Sequence, residues 1–425
     1  MHASSRVAIT VVTIVTAMAL LSPVTSAATT PPPLTADRQV AAAAGAQWLA
    51  DHVSADGSVP NPYVPGEASA GVTRQMVIAL ATTGLYRSVA EHGADWLAAH
   101  LDQAVDTFGH DLAGALAELI LAAHELQRDP TTFGGTAPVN DLVARLEATR
   151  RTAGTDIGLF GVQNPIFDGA YRQGLALQAL AVAGVHDPAA EQWLVDQQCA
   201  DGSWMPHRSD SSLPCPATDP ANFSGPDTNS TAVATLGLVA AGRSALHDPL
   251  PAFESYQNTD AGWSYFGGTA PSDPDSTALV IDAIAALGVD PAAPRFGKGS
   301  MTPYSALLQF QIGCTGATAD RGGFWFAKGD DGSVVTDTMA TVQAVPALLV
   351  PRAPSHSSKE QVIGDVCAPT TTTTSSSTTT STTSARTSTS AAPTTTAVSA
   401  SVDVEGISTA RAATPVPSSV VSYAG

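Results

Sequence analysis

The stretch EQWLVDQQCADGSW, residues 191–204, decides the fold because it recurs along the chain. FESYQNTDAGW at 253–263 places Phe253, Gln257 and Trp263 as Trp193, Gln197 and Trp204 are placed. LLQFQIGCTGATADRGGFW at 307–325 repeats the pattern with Leu307, Gln311 and Trp325 around an insertion. Upstream, AQWLADHVSADGSV carries Trp48 with His52, and ADWLAAHLDQ carries Trp96 with His100. A weaker copy runs through LVARLEATRRTAGTDIGLF, where Leu146 and Phe160 are the nearest equivalents. Anchors at 48, 96, about 146, 193, 253 and 307 define six units of roughly 50 residues, a period that signals a repeat architecture.

Each unit has a second half that is apolar nearly all round. VTRQMVIALATTG, DLAGALAELILAAH, YRQGLALQALAVAG, NSTAVATLGLVAAG, DSTALVIDAIAALG and DTMATVQAVPALL are rich in Ala and Leu, and several stop at glycine. Such segments read as helices buried on every side. The first half is amphipathic: in DPAAEQWLVDQQ, Trp193, Leu194 and Gln197 oppose Glu191 and Asp196. Six amphipathic helices alternating with six buried ones describe two concentric rings, an all-α (α/α)6 toroid of six helical hairpins. In that frame Gln197 and Trp204 brace one helix end against the next hairpin, and His52 and His100 take the glutamine's place.

The ends differ from the middle. Residues 1–27 read as an export leader, with Arg6 ahead of an apolar run from Val7 to Leu21 and small residues near Ala27 and Ala28. The toroid is expected over residues 36–352, and residues 353–425 form a Thr/Ser-rich tail with too little apolar surface to order it. The chain is therefore expected to be secreted or displayed at the cell surface, without a membrane span after leader removal, and monomeric. Its net charge of −19 argues against nucleic-acid binding. Four cysteines in an exported chain point to disulfides: of three pairings, Cys199–Cys215 and Cys314–Cys367 are favoured. No C-x-x-C or paired-histidine spacing suggests a metal, and no motif names a cofactor.

The pattern aromatic-Leu-Val-x-x-Gln followed by Gly-x-Trp resembles the QW repeat of squalene and terpene cyclases. The resemblance extends over about residues 38–350 and implies the double-ring fold of the prenyltransferase/squalene-cyclase superfamily, also found in the helical domain of transcobalamin-type carriers. It does not fix an activity. Class II terpene cyclases carry an Asp-x-Asp-Asp motif followed by Thr-Ala, whose middle acid protonates an alkene or epoxide. In SDPDSTA, residues 272–278, Asp273 and Asp275 match the first two acids and Thr277-Ala278 the tail, but the third acid is Ser276. The resemblance would make Asp275 the general acid, with Asp273 polarising it. A capping role competes, because DTNSTA at 227–232 and VTDTMA at 335–340 share the design, with Asn229, Asp275 and Asp337 set in register.

All outer-to-inner connections of such a toroid fall at one end, and in units four to six they lengthen and become aromatic. Trp204, Trp263, Tyr265, Phe266, Trp325 and Phe326 are candidate ligand-binding residues there, joined by Tyr171, Asp227 and Asp337. Sealing one end of the ring is the other reading of these aromatics. Arg74 and Arg172 lie within the apolar inner segments, where each needs an acidic partner or a ligand. Three functions fit: a binding protein holding a small lipophilic or cofactor-like ligand in the central cavity, a divergent terpene cyclase or prenyl transferase using Asp275, and a surface adhesin.

Overall fold

The computed structural model describes residues 36–106, 109–161 and 168–350; the expected leader, the expected tail and Cys367 lie outside the described residues. Among the described residues there are thirteen α-helices and two 3-10 turns, with isolated β-bridges and no strand. They form six hairpins: α1 (Ala36–Asp51) with α2 (Ala70–Thr83), α3 (Arg87–Ala99) with α5 (Ala113–Glu125), and α6 (Leu142–Ala148) with α7 (Ala170–Val182). The rest are α8 (Pro188–Asp196) with α9 (Thr228–Ala240), α10 (Leu250–Tyr256) with α11 (Pro274–Ala286), and α12 (Pro303–Leu308) with α13 (Thr338–Leu348). A short α4 (Leu101–Val105) follows α3.

The second helices of the hairpins make a closed inner ring: α2 packs on α5, α5 on α7, α7 on α9, α9 on α11, α11 on α13, and α13 back on α2. The expected (α/α)6 toroid is the fold observed. Burial follows the sequence pattern, with Met76, Leu80, Leu116, Ile120, Leu177, Leu180, Ile281, Ile284 and Val345 essentially inaccessible. The inner helices start where local chemistry tells them to. Asp227, Asp273 and Asp337 accept the N–H of Ser230, Ser276 and Ala340, and proline follows Asp273 at the first helical position, where no donor is needed.

The frame of each unit is a set of directed hydrogen bonds. The backbone N–H of Trp204 donates to Thr231 Oγ1 at 3.0 Å, that of Trp263 to Thr277 Oγ1 at 3.0 Å, and that of Phe324 to Thr341 Oγ1 at 2.9 Å. Each threonine lies four residues beyond the capping aspartate. The indoles of Trp204 and Trp263 donate to the carbonyls of Leu194 and Phe253, so both rings belong to the frame. A glutamine then reaches two carbonyls, one in its own loop and one in the next unit: Gln198 to Gly202 and His247, Gln257 to Ala261 and Phe296, Gln311 to Gly322 and Ala41.

This register corrects the sequence alignment at two places. The bracing glutamine of unit four is Gln198, whereas Gln197 accepts the N–H of Arg208. The frame aromatic of unit six is Phe324, fully buried, rather than Trp325. Two adjacent glutamines and a Phe-Trp pair make one-residue slips invisible to pattern matching; hydrogen-bond partners settle the first, since both glutamines are equally buried, and burial settles the second. His52 and His100 have no such reach; each stacks on its tryptophan and its Nδ1 lies 2.7–2.8 Å from the carbonyl of the residue four earlier.

The last link closes the circle. Gln311 of unit six bonds Ala41 of α1, Trp48 Nε1 bonds Ala319, and Arg38 donates to the carbonyls of Leu348 and Val350. The tightest seam elsewhere is between α7 and α9. A Cβ on Gly174 would lie 2.2 Å from Val233 O, and one on Gly237 would lie 2.6 Å from Gly174 Cα. Alanine in a helix interior is ordinarily favoured over glycine by about 1 kcal/mol. Here Gly174→Ala should instead lower stability by about 1–3 kcal/mol, because backbone has to move. Urea unfolding of this variant checks the sign; a stabilised variant would refute the close approach.

Candidate functional site

Each inner helix keeps one half-buried stripe while its other faces are covered. On α2 it is Gly71, Gln75, Ile78 and Thr82; on α7 it is Tyr171, Leu175, Gln178 and Val182; on α11 it includes Asp275 and Leu279. Steps of four and three keep these residues on one face of a helix. With neighbours on both flanks and an outer helix behind, that face looks at the ring axis. The lumen so formed has two walls. At mid-height Leu175, Leu236 and Leu279 on α7, α9 and α11 are apolar and Gln75, Glu118 and Gln343 on α2, α5 and α13 are polar; further along, Gln178 and Asp282 add polar groups on the faces of α7 and α11.

Several polar atoms along these helices are buried without a partner: Gln75 Oε1, Asn229 Oδ1, Asp275 Oδ1 and Gln343 Oε1, together with Thr228 Oγ1 and Asp227 Oδ2. Buried polar groups are normally paired, so such a concentration marks a place that water or a ligand completes. The orientation of Gln75 is fixed, since its amide nitrogen donates to Glu118 Oε1 at 3.1 Å.

At the mouth, where outer helices cross to inner ones, three carboxyls gather. Asp273 is a helix cap, accepting the N–H of Ser276 at 2.7 Å and its hydroxyl at 2.9 Å. Asp337 caps α13 in the same way and is thus the counterpart of Asp273 and Asp227. The register that equated Asp337 with Asp275 and Asn229 is therefore corrected: their counterpart on α13 is Met339. Asp275 is not a cap. It sits one residue beyond Pro274 with Oδ1 shut off from solvent, and burial, then Asp273, then Asp337, hold its carboxyl well above the usual carboxylate range. Burial likewise lifts Asp273 to about 6 and Asp227 to about 7.

The remaining sequence candidates divide. Trp204 and Trp263 are fully buried frame residues with satisfied indoles, so neither presents a surface to a ligand. Arg74 pairs with Glu118 at 2.8 Å, and Arg172 with Asp168 at 3.3 Å, so both inner-ring charges have protein partners. Trp325 and Phe326 are half-buried beyond the frame, with Trp325 on Phe310 and the Lys328 ammonium 5.0 Å from its ring. Tyr265 and Phe266 stand at the mouth between α9 and α11. The Tyr265 carbonyl accepts the N–H of Thr228, and its own N–H serves the Asp273 carboxyl. Sequence reasoning passed over Phe223, which stacks on Tyr265 at 4.9 Å and meets Phe266 edge-on at 5.0 Å. Its signal was weak, a lone Phe in a Ser/Pro/Asp-rich loop. That loop is tied back by the Cys199–Cys215 disulfide, as expected; Cys314 is not free, and Cys367 lies outside the described residues. Among the described residues no cluster of His, Cys, Asp and Glu could hold a metal, and no helix is long and apolar enough to cross a membrane.

No protein-family model matches the chain, and no curated protein matches it. Among solved structures, it is similar to a novel alpha-amylase from Clostridium perfringens, with 10% identity over 72% of this chain and 96% of that chain and a TM-score of 0.50. It is also similar to the type II terpene cyclase MstE from Scytonema, with 14% identity, 73% and 97% coverage and a TM-score of 0.49. A third is Candida albicans protein geranylgeranyltransferase-I complexed with GGPP, at 12% identity, 66% and 83% coverage and a TM-score of 0.41. At these identities the likeness is one of fold alone.

An acid with a raised native pKa holds its proton more tightly folded than unfolded. The stability it contributes is present at pH below about 4, falls as pH rises, and is lost once pH passes the native value. For Asp227 that native value is about 7. Asp227→Asn keeps a good cap and removes the titration. Relative to the wild type, the variant should gain on the order of 1–3 kcal/mol in urea stability between pH 5 and pH 8. Parallel pH profiles for the two proteins would contradict the assignment.

Proposed function

We propose that the chain is an exported binding protein whose ring lumen holds a small molecule, with an apolar body along the leucine wall and a polar end at the acidic mouth. The observation that carries this reading is the half-buried stripe on the inner helices, with its unpartnered amide oxygens. A ring that existed only as a scaffold would fill its axis with interdigitated apolar side chains, as protein interiors do. A concave lumen with a few converging polar groups is what small-molecule recognition uses. Of the lipophilic or cofactor-like ligands expected, the polar wall favours one with polar groups: a hydrocarbon alone would leave Gln75, Gln343 and Asn229 unpaired. Export rests on the leader-like residues 1–27 and is supported by the Cys199–Cys215 disulfide, which belongs to an oxidising compartment.

Asp275 favours a second reading. A neutral carboxyl kept beside Asp273 is the arrangement a general acid requires, and in the class II cyclases that the motif resembles such an acid protonates an alkene. Both readings meet in one experiment: native mass spectrometry of the mature chain before and after incubation with an organic extract of the producing cells. Retention of a species at its original mass supports the binding protein and identifies the cargo. Appearance of a species of altered mass, abolished in a folded Asp275→Asn variant, would establish the acid instead. If no adduct forms, the binding reading falls and a surface adhesin takes its place.

A further inference from the structure

We propose that the group received at the mouth is positively charged, an ammonium or other organic cation carried on an apolar body. This deepens the binding reading above and rests on it.

Charge comes first. Asp273, Asp275 and Asp337 converge from α11 and α13, close enough for both neighbours to act on Asp275. None of them has a cationic partner among the described residues; the ion pairs there, such as Arg74–Glu118, lie elsewhere. α9 brings only Asp227 and the neutral Asn229 to this end of the ring. An anionic ligand would meet uncompensated carboxyls and is disfavoured.

Hydrogen bonding points the same way. The unpartnered atoms of Gln75, Gln343 and Asn229 are oxygens, and that of Gln75 cannot be exchanged for nitrogen because the amide nitrogen serves Glu118. Apart from the Thr228 hydroxyl and the Asp275 carboxyl, the unpartnered atoms here are acceptors, and an ammonium brings three donors. Asp275 Oδ1 is a further acceptor as soon as its proton leaves.

The rim supplies the third argument. Phe223 is 41% exposed and held in the left-handed region, φ 48°. Asp219 fixes that turn by accepting the N–H of Ala221 and Asn222, while Ser224 and Asp219 exchange backbone hydrogen bonds. A bulky residue in this conformation costs free energy and persists only where its surroundings hold it. The result is a trio of rings, Phe223, Tyr265 and Phe266, joined to Asp273 through the backbone of Tyr265. Aromatic faces carry negative charge density and attract cations most when water is excluded. The chain already uses this chemistry at the same rim, where Lys328 lies over Trp325. Rings above carboxyls, with acceptors below, form a receptor for a cation. Its arrival favours the ionised form of Asp275, so the proton that burial and Asp273 favour on that carboxyl passes to solvent.

The test is isothermal titration of the mature chain at pH 7.5 with 4-phenylbutylammonium and its uncharged counterpart 4-phenylbutanol, in phosphate and in Tris. The ammonium should bind about tenfold more tightly than the alcohol, with buffer-dependent heat that reports proton release. Phe223→Ala should weaken the ammonium about three-fold and leave the alcohol nearly unchanged. Asp275→Asn should erase the proton release and most of the preference; Asp337→Asn, which keeps a cap, is the second variant should Asp275→Asn misfold. Equal affinity of the two probes, or a preference for the alcohol, overturns the cation while leaving a binding protein intact. If neither probe binds, the cation is overturned as well, and the mass-spectrometric adduct decides whether the lumen binds anything.

Discussion

The hydrogen bond from a frame aromatic to a threonine hydroxyl is the contact on which the rest of this ring depends. It joins the end of an outer helix to the first turn of its inner partner at Trp204–Thr231, Trp263–Thr277 and Phe324–Thr341, and the Val59 N–H makes the same bond to Thr73. In unit three a glutamine takes over, with Gln173 Oε1 receiving the N–H of Phe160. Because the threonine also donates to the carbonyl four residues back, at Asp227 and Asp337, the crossover and the helix cap are one hydrogen-bonded unit. Its position sets the height at which these connecting loops leave the ring. The mouth is thus a by-product of the frame, and the carboxyls of Asp227, Asp273 and Asp337 are gathered there by capping.

Capping is also what makes Asp275 informative. Helix starts attract aspartate for local reasons, and Asp227, Asp273 and Asp337 need no other explanation. Asp275 stands two residues further on, where a side chain on that face points to the axis, and it gains no backbone donor. Its burial beside other acids costs stability and is offset by nothing in the described residues. Features of this kind tend to lie at sites that are completed by something else.

The helical hairpins, their count and their inside-outside order were legible because apolar content and period are local properties. Trp193, Phe253 and Leu307 announced the repeat, and the all-apolar second halves announced the inner ring. What was not legible was register. Matching letters chose Gln197 over Gln198, Trp325 over Phe324, and paired Asp337 with Asp275. The deciding quantities are the contacts each side chain makes: Gln198 with His247 of the next unit, the burial of Phe324, and the capping bond of Asp337, and no short window contains them. The candidate site was half visible for the same reason. Asp273, Asp275, Tyr265 and Phe266 could be named from motif and loop composition. Phe223 could not, since its role comes from stacking on a loop some forty residues away.

An open solenoid adds stability repeat by repeat and needs a polar cap at each end. The clasp of Gln311 on Ala41, with Trp48 on Ala319 and Arg38 on the carbonyl of Leu348, removes both ends from this array. No hairpin is terminal, so none can fray without exposing an apolar flank of its neighbour. The last partners to meet during folding are among the farthest apart in the chain, which places the costliest loop closure at the final step. Until that step an unclosed arc presents two sticky flanks, each complementary to the other flank of a second molecule. The same complementarity that makes the finished ring self-contained makes its precursor a candidate for swapping hairpins between chains.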